Sequence, residues 1–209
     1  MTPYHHGSLR SALLAEAREV IAVDGVDAVT MRGLAKRVGV SHGAPGRHFP
    51  DRDALLDEVA AEGFAELTAI LRAADVTDDI DHGLRHYIAE HVRFATTNAA
   101  LMELMFSTSA RGPRASAAAD EFFTQGRGLL GDSASGPPGP LVYAVTAMVE
   151  GIGALAVSGR LPAERVDDVI DCALELLWPA MAAQRSPAHW RPHPAPYTAP
   201  PHQSDKSTS

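Results

Sequence analysis

The sequence predicts an all-α protein, and three observations carry that prediction. Apolar residues recur at spacings of three and four along almost the whole chain. No clear run of alternating β-branched residues marks a strand. Glycines, prolines and capping residues interrupt the pattern at intervals suited to helices. With 209 residues, 45% of them hydrophobic, the chain is large enough to bury a core in one domain or in two small ones sharing an interface.

Each element follows from local chemistry. A first helix over 8–24 has Ser8 near its cap, Leu9, Leu13, Ala17, Val20 and Ile21 on one face, and Gly25 at its end. Thr30 caps a second helix that buries Met31, Leu34, Ala35 and Val38, and Gly39 stops it because a residue without a Cβ turns with positive φ. Ser41 is placed to cap a third, running to about Arg47, so 30–49 reads as a helix-turn-helix. Asp51 caps a long helix to about residue 73, striped by Leu55, Leu56, Val59, Phe64, Leu67, Ile70 and Leu71. Further helices are expected from Asp79 to Thr97, over 99–109, over 114–130 with interruptions at Gly126 and Gly128, over 141–158 and over 163–183. The Gly/Pro/Ser-rich stretch 131–140 reads as a linker. After Gln184 the composition turns to Pro, His, Ser and Thr, which cannot offset the entropy of ordering; a disordered tail is expected, with Trp190 as its one docking handle. The domain reading is therefore a helix-turn-helix head at 1–50, a helical bundle at 51–183 and a tail at 184–209.

Charge is divided unevenly. Residues 1–55 carry seven Lys or Arg against six acids, and the remainder carries eleven against twenty, within a formal net charge of -8. A cationic head on an acidic body suits double-stranded DNA bound locally and in a salt-sensitive way. The single Cys172 excludes an internal disulfide framework and suits a reducing cytoplasm. No eighteen-residue apolar span and no signal-peptide pattern is read from the sequence, so a cytoplasmic protein without a membrane partner is expected. Serine elbow, phosphate loop, dinucleotide fingerprint and zinc-protease motif are all missing, so no enzyme and no cofactor is expected.

The stretch Thr30-Met-Arg-x-Leu-Ala-Lys-Arg-Val-Gly-Val-Ser41, followed by Arg47-His48-Phe49 and Arg52-x-x-Leu55, resembles the N-terminal domain of the TetR family of bacterial transcriptional repressors, over about residues 8–60. Tyr4-His-His-Gly-Ser-Leu-Arg10 is similar to one branch of that family, whose C-terminal half carries a Trp-His-Gly signature. The corresponding stretch here is Met148-Val-Glu-Gly-Ile-Gly-Ala-Leu155, with Glu150 in the place of the histidine. A second departure is Gly46, where the family usually has a backbone-binding tyrosine; with Gly43 and Pro45 it weakens the third helix. The resemblance implies a ligand-responsive regulator, most simply a repressor, in which a ligand among the body helices tilts the long fourth helix and changes the spacing of two DNA-binding heads.

In a helix-turn-helix the second helix of the motif enters the major groove, which places His42, Gly43, Ala44 and Gly46 toward the bases and Arg47 and His48 near the backbone, with Ser41, at the cap of that helix, counted among the DNA-binding residues. Arg32, Lys36, Arg37 and Arg52 are then phosphate contacts, which position without specifying. A homodimer presents two such heads to a palindrome, and the last two helices are the expected seam. That seam is drawn through Val142, Val145, Val149 and Ile152 on one helix and Val166, Val169, Ile170, Ala173, Leu174, Leu177 and Met181 on the other. For a small apolar effector the candidate lining residues are Tyr87, His91, Phe94, Met102 and Met105. Phe106, Phe122, Phe123, Tyr143 and Met148 complete that set. His82, His86 and Glu90 lie at i, i+4 and i+8, but three successive turns do not converge on one ion, so a solvated face is preferred and no metal is expected. The rival to a regulator is a ligand-binding or adaptor protein of the same fold with weakened DNA recognition, motivated by Gly46.

Overall fold

A computed structural model of the chain describes residues 6–74, 80–107, 112–130 and 139–185. Among these, eight α-helices and no strand are present: α1 (His6–Asp24), α2 (Met31–Val38), α3 (Arg52–Ala73), α4 (Ile80–Thr97), α5 (Ala99–Phe106), α6 (Pro113–Leu129), α7 (Pro140–Val157) and α8 (Val166–Arg185). The all-α expectation holds, with an N-terminal helix-turn-helix region followed by a helical body. The expected Asp79 start, the linker at 131–138 and the tail from 186, including Trp190, lie outside the described residues.

Helix ends fall where the caps put them. The Thr30 hydroxyl accepts from the Gly33 amide at 3.0 Å, and the Asp51 carboxylate accepts from the Ala54 amide at 2.8 Å. Gly39 adopts φ 78° at the end of α2, which lets the Val40 amide reach back to the Ala35 carbonyl at 2.9 Å. Gly126 and Gly128 do not interrupt α6, which continues to Leu129 because its packing against α3 outweighs their weak helix preference.

Three expectations are corrected. The segment after Ser41 does not form an α-helix: it is a turn followed by a single 3-10 turn at Pro45–Arg47. Gly43 and Gly46 disfavour the helix and Pro45 lacks an amide hydrogen, so the chain closes with the shorter bonds Ala44 N to Ser41 O (2.9 Å) and His48 N to Pro45 O (2.9 Å). The eighth helix begins at Val166, after a 3-10 turn at Ala163–Arg165, rather than at 163. Finally, α7 is 18 residues with a mean hydropathy of 1.7, long and apolar enough by length and composition to cross a bilayer, so the sequence does hold such a span. Here it packs against α4 and α8, burying Val142, Val145, Val149 and Ile152.

A continuous core runs from the head into the body through α3. Leu13, Ile21, Leu34 and Phe49 close the head around the start of α3, whose Leu55, Leu56, Val59 and Leu67 are all at most 1% exposed. Further along, α3 packs on α5 and α6, while α4 packs on α7 and α8. Polar ties reinforce this frame. Arg18 of α1 pairs with Glu66 of α3, and Arg85 of α4 makes a two-pronged bond to Asp171 of α8 at 2.7 Å on each prong.

Candidate nucleic-acid and ligand sites

The head presents exposed cations. Arg32 and Lys36 on α2 and Arg47 in the 3-10 turn point to solvent, as do Ser41, His42, Gly43 and Gly46; Ala44 and His48 are half-buried. Arg37 is exposed but paired with Glu16 of α1, whose hydrogen bond pushes the guanidinium further toward its charged form. Arg52 is placed differently from a free phosphate contact. Its Nε donates to the Val29 carbonyl at 2.8 Å and an Nη to the Val26 carbonyl at 2.7 Å, so it fastens the loop between α1 and α2 onto the start of α3. Replacing Arg52 with alanine is expected to lower the unfolding free energy by about 1–2 kcal/mol, read by urea denaturation. A side chain serving phosphate alone would leave stability within about 0.5 kcal/mol.

A buried ionic joint ties head to body where α3 begins, and it was not singled out from the sequence. Asp57 (6% exposed) accepts from the backbone amides of Arg114 (3.0 Å) and Ala115 (2.8 Å), capping the N-terminus of α6 from a different helix. The fit requires Gly112, since a Cβ there would lie 2.2 Å from the Asp57 carboxyl carbon. The neighbouring Glu58 receives both prongs of Arg114 at 3.1 Å and also Arg10 of α1. Burial pushes the Glu58 carboxyl up, but the two guanidiniums together outweigh burial and hold it below the ordinary carboxylate range. Arg10 also stacks over the Phe49 ring, 5.3 Å from its centroid. The sequence signal was two adjacent carboxylates inside an otherwise apolar stripe.

Of the ten proposed ligand contacts, three line the cavity between α3, α4, α6 and α7: Tyr87, Phe122 and Phe123. Leu71 and Leu84 join them, as do Gly126 and Leu130 at the end of α6 and Val142, Val145, Thr146, Val149 and Glu150 on α7. Free space inside is only about 40 Å³. Met105 is instead buried beside Gly63, bringing α5 against α3, and Phe106 meets Phe64 edge-on at 5.5 Å. Phe106 (45% exposed) and Tyr143 (59% exposed) stand largely in solvent, so neither lines this cavity. Phe94 is core, and Met102 and Met148 are half-buried against it.

His91 sits behind the cavity at 0% exposure. Its Nδ1 is 3.3 Å from the Tyr87 hydroxyl, and its Nε2 is 3.1 Å from Glu150 Oε1 without an N–H aligned to that oxygen. Burial and the nearby Glu150 carboxylate push the Tyr87 phenol up, so it stays a neutral hydrogen-bonding group. The His82-His86-Glu90 row is accounted for otherwise: both histidines are exposed and Glu90 pairs with Arg93. Among the described residues no three potential metal ligands converge.

The expected dimer seam faces inward. Val142, Val145, Val149 and Ile152, and on α8 Ile170, Ala173, Leu174, Leu177 and Met181, are all at most 7% exposed within the single chain; Val166 and Val169 are half-buried. The outer arcs of the same helices carry the apolar surface left uncovered: Tyr143, Ala147, Gly151 and Leu155 at four-residue spacing on α7, and Cys172 with Leu176 (71% exposed) on α8.

Comparison with known proteins bears on the head most directly. Residues 13–59 match the family model for bacterial regulatory proteins of the tetR family. A stretch of 66 residues is 36% identical to an HTH-type transcriptional repressor of Mycobacterium tuberculosis, covering 32% of this chain and 35% of that one, so the match spans about a third of that relative's length. Over nearly the full length, a solved structure of a protein of unknown function from Rhodococcus sp. RHA1 is 32% identical, with a TM-score of 0.74, covering 86% of this chain and 98% of that one. The TetR family transcriptional regulator PfmR from Thermus thermophilus is 20% identical with a TM-score of 0.59, covering 85% and 96%, and so shares the fold.

Proposed function

Because the chain belongs to the TetR family of bacterial regulatory proteins and is a transcriptional regulator, we propose that it represses transcription from a palindromic operator, binding as a homodimer and leaving when a small apolar effector enters the body. One observation carries this reading: α3 holds the cationic head at its N-terminal end and supplies Leu71 to the cavity wall at its C-terminal end. A ligand that separates α6 from α4 and α7 therefore presses on the lever that aims the head. The ligand must bind the splayed state better than the DNA-bound one, and several kcal/mol of that difference are needed to empty the operator. Residues 1–50 act as the DNA-binding head, 51–183 as the ligand-binding and dimerising body, and the protein works in the cytoplasm.

Within the head, Arg32, Lys36 and Arg47 neutralise phosphates, with Arg37 adding charge once released from Glu16. His42, Gly43, Ala44 and Gly46 approach the bases, and Ser41 and His48 orient that turn. Replacing Lys36 with alanine is expected to weaken binding to all duplexes alike and to reduce the salt slope by about one, whereas changing His42 alters base preference by about 1–3 kcal/mol. Equal losses at every sequence for both variants overturn the assignment of the reading turn.

The 3-10 turn at Pro45–Arg47 favours a second reading, in which the fold is retained as a ligand-binding adaptor with little sequence discrimination. Fluorescence anisotropy separates the two. A labelled duplex from the DNA flanking the gene is titrated beside a scrambled duplex at near-physiological salt. A preference of about a thousandfold or more establishes specific regulation. No preferred site in a genome-wide fragment selection leaves the adaptor.

A further inference from the structure

We infer that the effector is a lipophilic amine, an aryl-alkyl or aliphatic body carrying one protonated nitrogen that Glu150 receives. The inference rests on the regulator reading for its biological role but not for its chemistry. Among the described residues that line the cavity between α3, α4, α6 and α7, Glu150 is the one charged side chain; the others are aliphatic, aromatic, glycine or Thr146, whose hydroxyl already donates to the Val142 carbonyl at 2.9 Å. A carboxylate set in an apolar wall is costly unless it has a partner. His91 is the one partner the described residues offer it, and the His91 N–H is not aligned with Oε1, so the carboxylate's capacity to accept remains largely open. Its side chain is 32% exposed and belongs to the cavity wall, so a ligand there can reach it.

The other walls suit the same ligand. Tyr87, Phe122 and Phe123 contribute three aromatic rings to the wall, a lining that suits both a cation and an apolar body. Among the described residues no Lys or Arg lines the cavity to receive an anionic headgroup, and a carboxylate ligand would stand against Glu150. The free space of about 40 Å³ is far below the roughly 300 Å³ or more of a site holding a drug-sized ligand, so the amine enters by parting α6 from α4 and α7. Gly126 is part of the wall, and a Cβ placed there would meet only Leu71 Cδ2, at 3.9 Å, so a larger side chain at this position reaches into the cavity.

Three probes of one shape test the charge requirement: 4-phenylbutylamine, 4-phenylbutan-1-ol and 4-phenylbutanoate, titrated calorimetrically into the full-length protein at neutral pH without DNA. The amine is expected to bind about tenfold or more tightly than the alcohol, with the carboxylate weakest. Glu150→Gln should bring the amine-to-alcohol ratio close to one. An amine that binds no better than the alcohol, no binding by any probe, or a ratio that survives Glu150→Gln overturns the proposal. Should Glu150→Gln fail to fold, Gly126→Leu replaces a helix-disfavouring residue and fills the cavity; amine binding retained by that variant places the site elsewhere and also overturns it. Omitting DNA keeps the two readings apart. Amine selectivity with no operator preference sinks the regulator reading alone, whereas operator release by an acid but not by the amine sinks this inference alone.

Discussion

Replacing Asp57 with alanine is expected to destabilise the protein by about 2 kcal/mol, lowering the thermal midpoint by about 4–8 °C. The carboxylate is buried and bonded to the Arg114 and Ala115 amides, so its loss leaves two orphan donors at the start of α6 and removes a negative charge from the positive end of that helix. Asp57→Asn keeps one acceptor oxygen and should recover part of the loss. Arg114→Ala is the informative contrast: its side chain is 68% exposed, so its ion pair with Glu58 should be worth under about 1 kcal/mol. Urea denaturation followed by circular dichroism ranks the three. Equal midpoints for Asp57→Ala and the parent protein would mean that α6 is held by its apolar contacts alone.

Most helix boundaries were legible because caps are local. Thr30, Gly39 and Asp51 each act within four residues of themselves, and the structure places each as its chemistry dictates. The segment after Ser41 was harder, since a helical motif there competed with Gly43, Pro45 and Gly46. The local penalties prevailed and left a 3-10 turn. Helix periodicity also cannot say which of two apolar arcs faces inward. On α7 and α8 both arcs are apolar, and the one richer in β-branched residues went to the core. The Asp57–Gly112 contact joins residues far apart in sequence and had no local trace beyond two carboxylates in an apolar stripe. Glu150 was visible as a departure from a family pattern, but its nearness to His91 depends on α4 packing against α7.

That inverted seam leads to the second large effect. If the dimer forms through the outer arcs of α7 and α8, Leu176→Glu puts an unpaired carboxylate into the centre of an apolar interface and should convert the dimer to monomers at micromolar concentration, as read by analytical ultracentrifugation. The side chain is 71% exposed in the single chain, so the monomer's own thermal midpoint should scarcely move. Operator affinity should fall by roughly a hundredfold or more, because binding of the second head ceases to be intramolecular. A core residue makes the opposite prediction. Leu177→Ala, next in sequence but 6% exposed, should cost about 2–5 kcal/mol of stability through the cavity it leaves and act on dimerisation only through unfolding. If instead Leu176→Glu stays dimeric, the apolar arcs of α7 and α8 are not the seam, and the two heads must be held at their operator spacing by some other surface.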